Sequence, residues 1–178
     1  MAKRIKAALS KLARKEKAEI LSRFFKTGKG QYGEGDHFLG VTVPEQRRIA
    51  RKHPGLPPGD VDNLLASRTH EHRLVALLIL IEKYKKADER TKKDLVAFYL
   101  DRTGRINNWD LVDLSAAKIP GDSLCERDKS ILYRLAASDN LWERRIAIQC
   151  SHRVPLFSLF SKGGLLHAQR AFRNSYRR

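Results

Sequence analysis

An indole and a carboxylate, those of Trp109 and Asp113, stand four residues apart in the chain. Asn107 or Asn108 is a natural N-cap, so we expect a helix from there to about Lys118. Because residues four apart project from one face of a helix, the two side chains should lie together. An indole can stack on a base or a sugar, and a carboxylate can stabilise developing positive charge. The pair is therefore the candidate catalytic site.

The same residues also have a structural interpretation. A Trp near the start of a helix is usually part of a core, and an Asp in a first turn usually stabilises the helix dipole. Taken alone, the segment favours that interpretation, and only the rest of the chain changes the balance.

The composition points to a polyanionic partner. The 178 residues include 36 Lys and Arg against 20 Asp and Glu, which gives a net charge of +16. A single domain of this length buries a sizeable core, and such an excess of positive charge is typical of proteins that bind nucleic acid. No stretch reaches the length of a membrane-spanning helix, so we expect nucleic acid rather than a membrane. RNA-binding proteins share this charge, so the charge alone selects no function.

Cysteines and histidines give no sign of a metal centre. Cys125 and Cys150 are isolated, without the spacing of paired zinc ligands, which favours a reducing compartment. The His-Glu-His sequence at residues 70–72 lacks the i, i+4 spacing of helix-borne metal ligands. We interpret these histidines as a solvated helix start, and we expect neither metal nor cofactor.

A glycine-rich segment at residues 27–36 contains a formal G-x-G-x-x-G pattern. A dinucleotide-binding loop needs a strand before this pattern and a helix after it, whereas here a helical stripe precedes it. We therefore reject a cofactor site and expect a flexible loop that faces solvent or DNA.

Helical periodicity and capping signals predict an all-α chain. Residues 3–26 carry a broken apolar stripe for one or two helices, and the apolar run 74–81 favours a buried helix. A capping box at Thr42 and Glu45, with Pro44 between them, predicts a helix over about 43–53. Further helices are predicted at about 59–67, 70–86, 88–101, 107–118, 125–137 and 139–152.

Polar helix openings recur roughly 35 residues apart, which is typical of HEAT-like α-solenoids. The openings begin at residues 70, 107 and 139. Such a fold stacks antiparallel helix pairs into a curved superhelix, whose inner helices line one concave surface. Trp109, Asp113 and Arg145 would then lie along a single groove.

Three motifs follow one another within residues 10–152. The first is the glycine-rich segment with Phe38-Leu39-Gly40-Val41 and Pro44-Glu45-x-Arg47 behind it. The second is Trp109-Asp110-x-Val112-Asp113, and the third is Ser138-Asp139-Asn140-x-Trp142-x-x-Arg145. In this order they resemble the DNA alkylation repair family, the AlkD-like glycosylases.

The resemblance implies a HEAT-like domain, here shortened to residues 1–152, whose concave basic face clasps duplex DNA. It implies hydrolysis of the N-glycosidic bond of cationic purines, such as N3- and N7-alkylated bases, without extrusion of the base into a pocket. By position, Trp109 matches an indole against the deoxyribose, and Asp113 matches the carboxylate that stabilises the sugar cation and orients the water. An aromatic side chain that turns toward DNA would fall at Phe24 or Phe25.

DNA contacts are expected from basic residues on two predicted helices. The resemblance gives Arg145 the role of gripping a phosphate near the lesion, with Arg144 beside it. The helix over 43–53 offers a second backbone contact through Arg47, Arg48 and Arg51. For these three arginines, a merely solvated face is an equally good interpretation.

Residues 153–178 depart from the family pattern and form a basic tail whose structure the sequence does not define. The tail carries six Lys and Arg and no acidic residue. Family members continue through further helices, one of which supplies a second Trp to the cleft. The tail is either a DNA-binding extension or out-of-family sequence.

Two functions of different class are left open. One is a monomeric DNA glycosylase that acts on alkylated duplex DNA in the cytoplasm, associated with the nucleoid and without a cofactor. The other is a non-catalytic HEAT-like protein that binds duplex or damaged DNA. The Trp109–Asp113 pair favours the enzyme, whereas the tail favours the binding protein, and the positive charge disfavours a protein-binding scaffold.

Overall fold

The computed structural model describes residues 1–124 and 130–152, whose regular secondary structure is helical. Ten α-helices are found in these ranges: α1 (Ala2–Ser10), α2 (Lys15–Phe24), α3 (Val43–Arg51), α4 (Pro58–Leu65), α5 (His70–Lys86), α6 (Glu89–Leu100), α7 (Trp109–Ser115), α8 (Pro120–Leu124), α9 (Ser130–Ala136) and α10 (Leu141–Ser151). The β-pairing in the same ranges is limited to an isolated bridge between His37 and Thr69. The all-α prediction is confirmed, and the helix order is consistent with a HEAT-like α-solenoid.

The observed helix bounds follow the capping signals of the sequence. Helix α5 has the predicted bounds, and Glu45 caps α3 by accepting hydrogen bonds from the backbone N–H and the hydroxyl of Thr42 at 2.9 and 2.7 Å. The guanidinium of Arg14, together with these bonds from Thr42, holds the pKa of the Glu45 carboxyl well below its usual range. Local capping therefore accounts for where these helices start.

The predicted helix over 107–118 is shorter in the structure. Helix α7 ends at Ser115, the chain turns over residues 116–119, and α8 begins at Pro120. A proline often ends a helix, which is why the predicted helix stops just before Pro120. Proline also suits the first turn of a helix, where its missing N–H has no partner to lose, and here Pro120 starts a new helix. The first part of the predicted helix 125–137, including Cys125, lies outside the described residues.

The chain divides into two compact units. Unit 1 comprises Met1–Ala87 and Arg105–Leu111, and unit 2 comprises Asp88–Gly104 and the described residues from Val112 onward. Helix α7 begins in unit 1 and ends in unit 2. The predicted domain boundary after residue 152 stays a prediction, since the tail lies outside the described residues.

Unit 1 is built around α5. Every residue of its run 74–81 is buried, with at most 4% of any residue exposed, as the apolar pattern predicts. Helices α3 and α4 pack against α5, and α1 packs against all three of these helices. A helix that is apolar on all sides must be covered on all sides, which explains its central place.

Unit 2 has its own core, in which α8 packs against α6 and α10, and α9 against α10. The buried Tyr99 hydroxyl lies 2.9 Å from the Ser115 hydroxyl. The thiol of Cys150 faces the carbonyl oxygen of Ala116 at 3.5 Å, and burial raises its pKa to about 12. Cys150 is therefore an inert core residue.

Candidate active site

The start of α7 is fixed by its N-cap. The side-chain oxygen of Asn108, which is fully buried, accepts the backbone N–H of Asp110 at 3.2 Å. Of the two predicted caps, Asn108 is therefore the one used, and Trp109 becomes the first residue of the helix.

Aromatic side chains of unit 1 surround the half-buried Trp109. Its indole stacks on Phe25 with ring centroids 5.2 Å apart and an interplanar angle of 25°. Phe24 meets it edge-on at 6.0 Å. The indole N–H donates a hydrogen bond to the Tyr32 hydroxyl at 3.2 Å. Stacking together with a directional hydrogen bond fixes both the position and the rotation of the ring.

The structure separates the two phenylalanines offered by the resemblance. Phe24 is 62% exposed, whereas Phe25 is 6% exposed. Phe24 is thus the one that an external partner can reach beside the indole. Tyr32 was missed by the sequence analysis, although it stands within the glycine-rich segment that forms part of the first motif.

Phe25, Phe38 and His70 form a continuous aromatic layer in unit 1. The two phenylalanine rings stack with centroids 5.0 Å apart, and the His70 ring lies 4.7 Å from Phe38 and 5.1 Å from Phe25. Since Trp109 stacks on Phe25, the indole is joined to this layer.

The interpretation of residues 70–72 as a solvated helix start is wrong. His70, Glu71 and His72 are only 2%, 1% and 8% exposed. Two ring nitrogens, His70 Nδ1 and His72 Nε2, have no hydrogen-bond partner among the described residues, whereas the other polar side-chain atoms of these three residues are matched. The Glu71 carboxylate, for example, accepts the backbone N–H groups of Leu39 and Gly40, both at 2.9 Å.

Four charged side chains of unit 1 form a buried charge cluster: Asp36, His70, Arg73 and Asp110. Arg73 donates to Asp36 at 2.5 Å, and His70 Nε2 lies 3.0 Å from Asp110 Oδ2. The other ring nitrogen of His70 is 3.9 Å from Asp36. Burial lowers the pKa of His70, but the two carboxylates outweigh it, so that the pKa is raised above its ordinary value. Burial likewise raises the pKa of Asp36, but His70 and Arg73 reverse the shift and leave it lowered.

The glycine-rich segment is more ordered than the expected flexible loop. The N–H of Gly28 donates to the Gln31 side chain at 3.0 Å, and that of Gly30 donates to the Glu34 carboxylate at 2.7 Å. Gly28 and Gly30 are exposed, but Asp36 at the end of the segment is 6% exposed. Only the outer part of the segment therefore faces solvent.

A largely apolar groove of about 430 Å³ lies in unit 1 between α2 and the start of α3. Its apolar lining includes Ile20, Phe24 and Val41, and its polar lining includes His70 and Asp110. The groove thus shares Phe24, His70 and Asp110 with the surroundings of the indole.

Asp113 is held by α10 within unit 2. Arg145 forms a bidentate pair with it, Nε to Oδ1 at 2.7 Å and Nη2 to Oδ2 at 2.6 Å. Gln149 donates to Oδ1 at 2.9 Å. The side chains of Asp113 and Arg145 are 31% and 17% exposed. Gln149 was not predicted from the sequence, although it lies one turn after Arg145 on the predicted helix.

The other predicted DNA contacts differ in their surroundings. Arg144 donates to the carbonyl oxygens of Ser138 and Asp139 at 2.7 and 2.8 Å, so it ties down the turn before α10. On α3, Arg47 is half-buried, and two arginines are exposed: Arg48 and Arg51. The geometry supports α3 as an accessible basic surface, while its contact with DNA stays a prediction.

Metal or membrane features are not found in the described ranges. Residues 1–124 and 130–152 hold no group of three or more His, Cys, Asp or Glu side chains arranged to bind a metal ion. Within the same ranges, no helix has the length and apolar character that crossing a membrane requires.

A protein-family model described as DNA alkylation repair enzyme matches residues 5–154. The matched span covers most of the chain and includes all three motifs from the sequence analysis. No match is found among curated proteins. The family description agrees with the resemblance drawn from the motifs, and it implies a role in the repair of alkylation damage with DNA as the substrate.

Proposed function

Because this chain belongs to the family of DNA alkylation repair enzymes, we propose that it is a glycosylase for cationic alkylated purines in duplex DNA. The reaction hydrolyses the N-glycosidic bond of an N3- or N7-alkylated purine and leaves an abasic site. The observation that carries the proposal is the Trp109–Asp113 pair on one helix, α7, inside the matched residues 5–154.

The chemistry of a cationic base suits a site without a strong general acid. When the bond between C1′ and the base nitrogen breaks, its electron pair moves to the base, which leaves as a neutral molecule. The sugar becomes an oxocarbenium-like cation, to which water adds at C1′ with loss of a proton. The reaction therefore needs a carboxylate that stabilises this cation and orients the attacking water. We propose Asp113 for this role.

The contacts of Asp113 support this role by fixing its orientation. Arg145 and Gln149 together engage both carboxylate oxygens. A charge that is already oriented needs no reorganisation when the sugar cation forms. Arg145 also offsets that charge while it is paired, so we propose that a DNA phosphate competes for the guanidinium and frees the carboxylate to act on the sugar.

Trp109 supplies an aromatic surface for the deoxyribose in this proposal. The indole is fixed by Phe25 and by Tyr32, yet it is only half-buried, so part of its surface stays accessible. A fixed ring loses little conformational entropy when a sugar packs on it, which makes it an effective positioning surface. The exposed Phe24 can extend this surface.

The net charge of +16 favours binding along the phosphate backbone, mostly without sequence readout. We propose that the backbone contacts come from α10 and from α3, through Arg145, Arg144, Arg47, Arg48 and Arg51. We further propose that the protein acts as a monomer, in the cytoplasm at the nucleoid, and that it needs neither cofactor nor membrane.

One observation favours the alternative, a non-catalytic protein that binds duplex or damaged DNA. The bidentate pair of Asp113 with Arg145 is the kind of contact that also serves stability alone. In that case α10 would use Asp113 as a structural anchor, and the protein would bind damage without removing it.

One experiment distinguishes the glycosylase from the non-catalytic binding protein. The purified protein is incubated with a duplex that carries a single N7-methylguanine and, as a control, with the unmodified duplex. We expect free N7-methylguanine, detected by mass spectrometry, and an equal amount of abasic site, detected by alkaline strand cleavage, from the methylated duplex alone. Binding of both duplexes without base release would contradict the glycosylase and establish the alternative.

A further inference from the structure

His70 is the residue at which the buried charge cluster and the aromatic layer meet. Its side chain is 3% exposed, and its Nε2 lies 3.0 Å from Asp110 Oδ2. The same ring lies 5.1 Å from Phe25 and 4.7 Å from Phe38. His70 has no role in the proposed cleavage of the glycosidic bond.

The charge balance of the cluster favours a proton on His70. Two carboxylates, those of Asp36 and Asp110, face one guanidinium, that of Arg73, and their side chains are at most 17% exposed. With a neutral imidazole, one sheltered carboxylate would have no counter-charge, which is costly at low exposure. An imidazolium supplies the second positive charge and brings the cluster to neutrality.

His70 is joined to Trp109 by two separate routes. Through the backbone, Asp110 is the next residue after Trp109 in the first turn of α7. Through packing, the His70 ring lies against Phe25 at a tilt of 30°, and Phe25 itself stacks on the indole. A change at His70 therefore reaches both the helix start that carries the indole and the surface that supports it.

We propose that protonated His70 is a positioning residue for Trp109, because it anchors the start of α7 through Asp110 and supports Phe25 under the indole. This inference rests on the proposed role of Trp109 in base excision. His70 itself is buried and does not touch the substrate. Its deprotonation leaves the cluster with an excess negative charge and loosens the first turn of α7.

The proposal predicts a pH dependence with a defined sign. Since the folded state holds the proton more tightly than a free imidazole does, the positioned state persists at low pH and is lost as the pH rises through the raised pKa of His70. The charged groups around His70 are Asp36 from the glycine-rich segment, Asp110 from α7, Arg73 from α5 and Lys17 of α2, which lines the same groove. Ordinary carboxylates titrate in acid, and lysine and arginine titrate in strong base, so His70 is the member of this group whose titration falls between them.

Trp109 fluorescence tests the proposal without any need for catalysis. The chain has two tryptophans, so Trp142→Phe leaves Trp109 as the sole reporter. In that background, His70→Gln keeps an amide donor for Asp110 but removes the titrating group. The matched control is His72→Asn, because the buried His72 bonds Ser67 through Nδ1, and burial lowers its pKa to about 4.

We expect a fluorescence step above pH 6.5 in the parent and in His72→Asn, and no such step in His70→Gln. A step of unchanged position and size in His70→Gln would overturn the proposal. If His70→Gln fails to fold by circular dichroism, Asp110→Asn provides the same test, since loss of its carboxylate should move the step to lower pH. An unmoved step in that variant would overturn the proposal as well.

Excision kinetics supply a second readout that a purely structural role would not give. On the N7-methylguanine duplex, we expect His70→Gln to lower kcat by roughly tenfold through misplacement of the indole, with an unchanged KM. The excision rate of this variant should not fall at alkaline pH, because the titrating group is gone. An equal decrease of kcat in His72→Asn would indicate a general loss of packing and would overturn the proposal. Absence of base release by the parent would refute the proposed function, and the fluorescence step alone would then decide the role of His70.

Discussion

Trp109 and Asp113 occupy one helix, yet each is held in its own unit by a different kind of interaction. Around Trp109, rings stack on rings, and three charged groups beneath them, Asp36, His70 and Arg73, are buried. Around Asp113, two polar side chains of α10 hold a carboxylate that is 31% exposed. Packed rings cannot be exchanged for solvent or ligand, whereas a partly exposed ion pair can be exchanged for another anion. In our proposal, the first region therefore positions the indole, and the second responds to DNA.

The energetic contrast follows from burial. Breaking a buried charge pair typically costs about 3–5 kcal/mol because one charge is left without a partner. Partly exposed pairs contribute about 1 kcal/mol or less, and salt screens them. Substitutions in unit 1 should therefore affect folding and the placement of the indole, and substitutions at the Asp113 pair should affect binding and catalysis.

The largest effect on stability is expected at Gly40, next to the groove of unit 1. Its φ is +77°, and an added Cβ would lie 2.3 Å from the carbonyl oxygen of Arg14. Gly40→Ala should lower the free energy of unfolding by about 3 kcal/mol, which urea denaturation measures. Gly59 in α4 has nothing within 4 Å of the added Cβ, so Gly59→Ala should be neutral or slightly stabilising. An equal decrease in the free energy of unfolding in both variants would contradict the close packing around Gly40.

Removal of the indole should give the next largest effect. Trp109→Leu should slow excision by roughly tenfold to a hundredfold, the cost of a lost aromatic stacking surface, while the protein stays folded. Trp109→Phe keeps a ring but loses the hydrogen bond to Tyr32, so its excision rate should lie between those of the parent and Trp109→Leu. Single-turnover rates on the methylated duplex measure both. An unchanged rate in Trp109→Leu would remove the indole from the mechanism.

The smallest effect concerns DNA binding by Arg145. If one phosphate is contacted, Arg145→Ala should reduce the slope of log affinity against log salt by about one. Titration of labelled duplex at several salt concentrations gives the slope. Arg134 on α9 is exposed, so Arg134→Ala removes the same charge as a matched control and should leave the slope unchanged. Equal slopes for the two variants would place Arg145 away from the backbone.

Much of the fold could be predicted because its signals are local. The bounds of α5 followed from a polar opening and a long apolar run, and the start of α3 from a capping box. The end of α7 was predicted too late because a proline can start a helix as well as stop one. Nothing within a few residues of Pro120 distinguishes these two outcomes.

The candidate site was predictable only in part. The motif spacing brought out Trp109 and Asp113, but it did not show that His70 is buried, because its partner Asp110 is supplied by a helix distant in the chain. Tyr32 and Gln149 were missed for the same reason, since each is defined by a partner in another element. Long-range pairing of polar groups leaves no periodic trace in a sequence.

The central claim, that the Asp113 carboxylate acts in the cleavage step, is tested most directly by Asp113→Asn. This substitution preserves the shape of the side chain and removes its charge. Single-turnover release of N7-methylguanine and duplex affinity should be measured in parallel, with the exposed Asp94→Asn as the charge-matched control. We predict a loss of about a hundredfold or more in release, with affinity largely retained, and no loss in the control. Release at the parent rate by Asp113→Asn would contradict the account.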